Sequence, residues 1–399
     1  GSLSLKSITD GGFNVALGAL SGEDLTTGDF NVFVGDYAGH ATTDGDKLVA
    51  IGHNALAANV TSAGDGTVAI GYLAAASLTS AADCVAIGEN SMTEHTTGRA
   101  NTAIGSNTMA QSDGDATAQD NTFLGAFAGG GAWAGAGIDA NIGIGYTALY
   151  GPMNGANNNI AIGYESGHDV VGGDANVMVG NHTGQVLTNA SGSAFLGKNA
   201  GGALTTGNMN IAVGYYAMGS GTTTGDNNIA IGANAGDAIT SGFSNILLGR
   251  DAGGALQSGY NHILMGPTAG DALTGGRNNV ALGQHALGGS TANVGCIAIG
   301  SAAMQAINST DADHTVGIGN EVLVSLTNGQ YNVAIGHQAM YTETQGDKST
   351  AVGYQALKTQ NGTGLNTAVG YQAGLSMTTG YLNTLIGMDA GKSLTNSTG

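Results

Sequence analysis

Aromatic residues near the longest repeats are the side chains best suited to contact a partner. The only Trp, Trp133, lies in the stretch GGGAWAGAGIDA (129–140), with Phe127 shortly before it and Tyr150 shortly after it. Aromatic rings on loops anchor proteins and sugars because they combine a large apolar area with a polar edge. We therefore predict Trp133, Tyr150 and Phe127 as candidate receptor-contacting residues. Neutral length variation in a surface loop is the alternative explanation.

Acidic turns could hold a cation. Pairs of carboxylates recur as Asp44-Gly45-Asp46, Asp113-Gly114-Asp115 and Asp311-Ala312-Asp313. Carboxylate oxygens in loops are the ligands that Ca²⁺ prefers, but none of these turns has the full EF-hand loop. We therefore predict solvated turns and no resident cofactor, with Ca²⁺ at the acidic turns as the alternative.

Catalytic motifs are missing from the sequence. The nine His residues occupy different places, and there is no His-Glu-x-x-His, Cys-x-x-Cys or Gly-x-Ser-x-Gly motif. Cys84 and Cys296 stand at equivalent places in distant repeats, which favours two small buried thiols. We predict a protein without enzyme activity; a tailspike-like glycan depolymerase, acting through carboxylates in a groove, is the alternative.

One short repeat runs through the chain and must position all these residues. An apolar tetrad ending in Gly recurs 22 times, from Gly18 to Gly387, and 15 of the 21 intervals are 17 residues long. We number each repeat from this Gly as position 0. Position −1 is always Ile, Val, Leu or Met, position −3 is mostly Val, Ile or Thr, and position −4 is Asn in 14 repeats. A short tetrad rich in β-branched residues predicts a β-strand.

Seventeen residues suffice for one turn of a β-solenoid, in which each strand pairs with its equivalent in the next coil. The sequence therefore predicts an all-β fold, a parallel β-solenoid (β-roll) of about 22 coils. Residues 13–399 would form a single repeat array, and residues 1–12 a lead-in or a cloning remnant. The representative ladder residues are Asn228, Ile229, Ile231 and Gly232, with the Asn side chains stacked from coil to coil as in cross-β ladders.

Apolar residues at other positions indicate how the coil is filled. Position +4 is Gly in eleven repeats, nine of which have a large apolar +7 residue such as Leu273, and it is Leu or Met in ten others, as at Leu287. This complementarity predicts that both Leu273 and Leu287 point inward. Large residues at position −2, such as Leu247 and Phe33, are expected to leave an apolar stripe outside the coil. Sister copies, arranged as a parallel homotrimer, would cover this stripe.

Several repeats resemble those of a known protein family. The stretches that carry the resemblance are VAIG (68–71 and 85–88), NVAIG (332–336) and NTAVGYQAG (366–374). The sequence resembles the head repeats of trimeric autotransporter adhesins, and more closely the Asn-rich repeats of bacteriophage tail fibres. The resemblance covers about residues 13–391, although these coils are longer than is usual in adhesin heads. It implies a left-handed parallel β-roll, three chains wound side by side, and binding to host surfaces.

Composition limits the partners. The net charge of −19, with nine basic residues, argues against nucleic acid, and no apolar run is long enough to predict membrane insertion. We predict a structural, adhesive fibre segment, extracellular or on a virion surface, that binds a cell-surface glycan or protein receptor. One alternative is a head-to-tail filament, since no polar caps are evident. Another is an ice-binding solenoid, because Thr recurs at position +8.

Overall fold

The computed structural model describes residues 1–112, 118–133, 137–307, 312–362 and 364–398. The backbone forms two compact units, Gly1–Thr206 and Gly207–Gly399. In the described residues each unit contains eleven three-residue strands, and the first also has a 3₁₀ turn at Ser62–Gly64. The fold is therefore all-β, as the repeat predicts.

The strands of the first unit are β1 (Val15–Leu17), β2 (Val32–Val34), β3 (Val49–Ile51), β4 (Val68–Ile70), β5 (Val85–Ile87), β6 (Thr102–Ile104), β7 (Thr122–Leu124), β8 (Ile142–Ile144), β9 (Ile160–Ile162), β10 (Val177–Val179) and β11 (Ala194–Leu196). Those of the second unit are β12 (Ile211–Val213), β13 (Ile229–Ile231), β14 (Ile246–Leu248), β15 (Ile263–Met265), β16 (Val280–Leu282), β17 (Ile297–Ile299), β18 (Val316–Ile318), β19 (Val333–Ile335), β20 (Thr350–Val352), β21 (Thr367–Val369) and β22 (Thr384–Ile386). All of them occupy positions −3 to −1 of their repeats.

Within each unit, every strand pairs in parallel with the next strand along the chain. Ile229 is opposite Ile246 and Ile231 is opposite Leu248, so equivalent residues stack without a register shift. The Ile229 N–H donates to the Asn245 carbonyl at 2.8 Å, and the Gly249 N–H donates to the Ile231 carbonyl at 2.8 Å. The same pairing recurs through β1–β11 and through β12–β22. Each unit is a parallel β-solenoid with one strand per coil.

The residues that start the chain follow the same arrangement. The Leu5 N–H donates to the Ser21 carbonyl, and the Thr9 N–H donates to the Thr26 carbonyl. The Thr9 hydroxyl also donates to the Thr26 carbonyl. Residues 1–12, which we expected to be a lead-in, thus bond to the first full coil as one coil bonds to the next.

The two faces of the strands differ from the prediction. The residue at position −2 is buried in every strand except β1 and β22, where it is partly buried, whereas positions −3 and −1 face outward and are partly or largely exposed. Leu247 and Phe33 are fully buried inside the coil. The expected outer stripe of position −2 residues was therefore wrong, because alternation along a strand places the single residue between two outward neighbours on the inner face. The apolar surface left outside the coil is that of positions −3 and −1, and the trimer that was expected to cover it stays a prediction.

The interior of the coil is filled as the complementary pattern predicts. Leu273 and Leu287 are both fully buried, which confirms that positions +7 and +4 can each supply the large apolar group. A Cβ added to Gly270 would lie 2.8 Å from a Leu273 methyl and 2.9 Å from a Leu264 methyl. Gly at position +4 is therefore needed where the leucine at position +7 already occupies the space.

Close backbone stacking explains the Gly at position 0. Gly232 has a φ of +137°, and an added Cβ would lie 2.5 Å from the Gly249 carbonyl oxygen in the next coil. Both the backbone angle and the short distance exclude a side chain at this position. This column of glycines fixes the end of each strand.

Residues other than Gly also adopt left-handed backbone angles at the corners of the coil. Asn227 at position −5 and Asn234 at position +2 have φ values of +60° and +54°, and Leu287 at position +4 has +54°. Each such residue costs about 1 kcal/mol or more relative to the right-handed conformation. The sequence signals left-handed corners only where Gly or Asn stands, so most of these corners were not predictable.

Candidate functional site

The buried Asn column is the most regular polar feature of the solenoid. The Asn228 Oδ1 accepts the backbone N–H of Asn245 at 3.2 Å and its side-chain amide at 3.0 Å. The Asn228 side-chain amide in turn donates to the Gly242 carbonyl at 2.8 Å. Each Asn thus satisfies backbone groups of its own and the neighbouring coil, and the predicted structural ladder of Asn228 is confirmed.

His262 replaces Asn in this column. Its Nδ1 accepts the Asn279 N–H at 3.3 Å, as the Asn oxygen does elsewhere. Nε2 is buried and makes no well-formed hydrogen bond, although the nearby carbonyls of Gly275 and Gly276 favour the protonated ring. Burial outweighs this and lowers the pKa of His262 from 6.5 to about 4. The ladder therefore requires a neutral imidazole here.

Cys84 and Cys296 also occupy the Asn position, and both side chains are fully buried. Burial raises the pKa of the Cys84 thiol to about 11 and that of the Cys296 thiol to about 12. The Cys296 Sγ lies 3.3 Å from the Ala312 carbonyl, to which it donates. The sequence-based interpretation of two buried thiols is confirmed.

Trp133 lies inside the solenoid and does not form an exposed loop tip. Its side chain is 2% exposed, and its indole packs against Phe123 with ring centroids 6.0 Å apart. An indole in this position offers no surface to a receptor, so the prediction of Trp133 as an exposed anchor was wrong. The Trp133 ring is one of the large side chains that fill the interior at this coil.

Phe127 and Tyr150 are partly buried at the surface. The Phe127 ring meets the Tyr146 ring edge-on at 6.0 Å, and the Tyr150 ring stacks on His168 at 5.3 Å. Tyr146 in turn stacks on Tyr164 in the next coil, with centroids 5.4 Å apart. These contacts place the two remaining receptor candidates within rows of rings that follow the coils. Their role in binding stays a prediction.

The acidic turns take part in hydrogen bonding between coils. The Asp29 N–H donates to Asp46 Oδ1 at 2.7 Å, and the Asp46 N–H donates to Asp65 Oδ1 at 2.7 Å. Asp113-Gly114-Asp115 and Asp311 lie outside the described residues. In the described ranges, no cluster of three or more His, Cys, Asp or Glu residues has the arrangement of a metal site. The carboxylate of Asp46 acts as a backbone acceptor.

Threonine hydroxyls at position +8 serve the same purpose. The Thr26 hydroxyl donates to the Thr43 carbonyl at 2.8 Å, and the Thr188 hydroxyl donates to the Thr205 carbonyl at 3.0 Å. Equivalent bonds are made by Thr240, Thr274 and Thr327. These hydroxyls donate to backbone carbonyls of the next coil, which is the turn role expected of them, and ice binding stays an alternative prediction.

Buried polar residues at position +7 were not anticipated as a group. Glu343 is fully buried, and its Oε1 accepts the N–H groups of Thr344, Gln345, Gly346 and Gly362. Its Oε2 accepts the Gln360 side-chain amide at 2.8 Å. In another coil, His95 Nδ1 lies 3.1 Å from the Ser112 hydroxyl. The sequence signal that could have predicted this group is the polar residue at position +7, where many other repeats have a large apolar residue.

The outward strand face, defined as positions −3 and −1 of the strands in each unit, is uniform in residue type. None of its residues is charged, and all are apolar except five Thr residues. Ile231 is 40% exposed and Leu196 is 52% exposed. Exposed Tyr residues follow directly at position +1: Tyr72, Tyr146, Tyr164, Tyr215, Tyr354 and Tyr371. A face of this kind meets another surface more favourably than it meets water.

The stacked strands and side-chain ladders define the class of this protein: it is a β-solenoid repeat protein. Comparisons with protein-family models and with curated protein sequences found no match. Among the described residues no helix has the length and apolar character needed to cross a membrane. No pocket opens in the described part of the chain.

Proposed function

We propose that the chain is a structural segment of an attachment fibre, extracellular or on a virion surface, that acts by stiffness and repeated contact without catalysis. The observation that carries this proposal is the use of polar side chains inside the coils. Asn, Thr, Asp and Glu side chains bond to backbone groups of adjacent coils, as at Asn228, Thr26, Asp46 and Glu343. Such bonding resists shear between coils, which is what a load-bearing fibre needs.

The proposed target is a cell-surface glycan or protein. A fibre that carries many copies of a weak site gains affinity through multivalency, so the single site need not be strong. Phe127 and Tyr150 remain candidate contacts, since each is partly exposed and held by a neighbouring ring. Rings held in place lose little conformational entropy on binding.

Binding of the purified chain to a glycan array and to host-cell surface protein tests the proposal. We expect binding that weakens in a Phe127→Ala, Tyr150→Ala double variant. A Tyr381→Ala variant, which removes an exposed ring from another unit, is the matched control and should bind normally. Absence of binding to any surface, or release of reducing sugar from a bound glycan, would overturn the non-catalytic attachment role.

Stiffness has its own test. Force spectroscopy on a single chain held at its ends should show unfolding in steps at high force, since bonds between coils must shear together. Extension at low force without steps would contradict a load-bearing role. This readout is independent of receptor binding, so the mechanical and the adhesive parts of the proposal can fail separately.

A further inference from the structure

The outward strand face is unusual for a surface that meets water. In an antiparallel sheet with one wet side, outward residues are normally polar, and parallel sheets are usually covered on both sides. Here the outward positions of both units are Val, Ile, Leu, Met, Ala or Thr, without a single charge. Ile51, Ile162, Ile263 and Ile335 are each 37% exposed and Leu196 is 52% exposed, so these apolar side chains reach the solvent. An apolar face of this kind is suited to an apolar partner.

The area of the face can be estimated from the coil geometry. Eleven coils at about 4.8 Å and a strand about 10 Å wide give about 500 Å² for each unit. One unit alone reaches the size of the largest apolar patches that monomers expose, about 300–600 Å². When the face of one unit opposes the same face of a second copy, each copy contributes about 500 Å², and the total of about 1,000 Å² reaches the size expected of a biological interface. One such pair of faces therefore has the area of a small specific interface.

A second copy of the chain matches this face best. The second copy presents rows of the same side chains at the same spacing between coils. Side chains of one copy can therefore fit between the side-chain rows of the other. Sheets pack face to face at about 10 Å through such side chains. The net charge of −19 would oppose self-association elsewhere on the surface, but the face itself carries no charge to desolvate.

The geometry favours two copies over three. Each coil contributes one flat face with two outward residues, and two such faces opposed to each other bury both completely. Three narrow faces around a common axis would meet only along their edges. We propose that two copies of the chain pair through their outward strand faces as a two-fold dimer.

Charge placed on the face tests the dimer. The double variant Ile162→Lys, Ile335→Lys places one lysine on the outward strand face of each unit. Both positions are partly exposed in a single chain, so the charges do not prevent the monomer from folding. The matched control, Asn189→Lys, Gln257→Lys, adds the same charges at exposed positions away from the strands. Native mass spectrometry and sedimentation velocity give the number of chains, and circular dichroism with melting temperature checks that all variants fold.

We expect two chains in the wild type and in the control. The face variant should be monomeric, with dimerisation weakened at least about a hundredfold, because unpaired charges would be buried. A monomeric wild type overturns the proposal. So does a three-chain mass, or a dimer that the lysines on the face do not weaken.

Discussion

The single imidazole in the Asn column makes the second unit sensitive to acid. In the folded chain His262 has a pKa of about 4, whereas an unfolded His has about 6.5. The unfolded state therefore binds a proton first as the pH falls, and the folded state loses stability between about pH 6.5 and pH 4. Above pH 6.5 the His262 imidazole is neutral in both the folded and the unfolded state, so it adds no pH dependence to the free energy of unfolding.

The size of the effect follows from the two pKa values. The difference of about 2.5 units corresponds to about 3.4 kcal/mol once both states are protonated, and to about 2.5 kcal/mol at pH 4.5. His262→Asn should remove this loss, because Asn can accept the Asn279 N–H through Oδ1. The side-chain amide of an Asn at this position can also donate to the Gly275 or Gly276 carbonyl, which lie near Nε2 in the wild type. Asn245 donates to the Gly259 carbonyl in this way, at 2.8 Å.

Urea unfolding of wild type and His262→Asn at pH 7.5 and pH 4.5 is the assay. The free energy of unfolding of the wild type should fall about 2.5 kcal/mol further than that of the variant. His337→Asn, which removes an exposed imidazole by the same substitution, is the matched control. Equal losses in wild type and His262→Asn would refute the account of the ladder.

Three further substitutions or reagents test the interior. Gly232→Ala should lower the free energy of unfolding by about 3 kcal/mol or more, because the added Cβ would clash with the backbone of the next coil. Gly275→Ala, whose added Cβ would have its nearest contact at 3.5 Å, is the control, and thermal unfolding of both variants is the measurement. Asn228→Ala should cost about 2–4 kcal/mol in urea unfolding, since two donors of Asn245 lose their acceptor; a loss below about 0.5 kcal/mol would contradict the ladder. Cys84 and Cys296 should react with a thiol reagent only as fast as the chain unfolds, because burial raises the pKa of both thiols. Rapid labelling in native buffer would contradict their burial.

Regular spacing made the strands and their stacking predictable. The recurring tetrad located every strand, and Asn at position −4 and the exchange between Leu273 and Leu287 identified interior groups correctly. These features are repeated, so each coil supports the interpretation of the others. Periodicity alone does not state which side of a three-residue strand faces inward. Position −2 was therefore assigned outward, although Leu247 is buried.

Features that occur once were harder to predict. A lone Trp in a Gly-rich loop has the composition of an exposed anchor, but Trp133 fills the interior beside Phe123. The carboxylate of Glu343 accepts the N–H groups of the three residues that follow it and, once two coils are stacked, the Gly362 N–H of the next coil. Gly362 and Gln360, its partners from the next coil, are distant in sequence, and composition does not reveal them.

The distance between two outward positions of the second unit tests the stacking most directly. Ile231 and Ile335 both stand at position −1 and are separated by six coil steps, or about 29 Å at about 4.8 Å per coil. Spin labels at Ile231→Cys and Ile335→Cys, with Cys84 and Cys296 replaced by Ala, allow pulsed electron-spin measurement in samples diluted with unlabelled chain. A narrow distribution centred near 29 Å is expected. A broad distribution, or one centred far from six coil steps, would contradict the in-register solenoid.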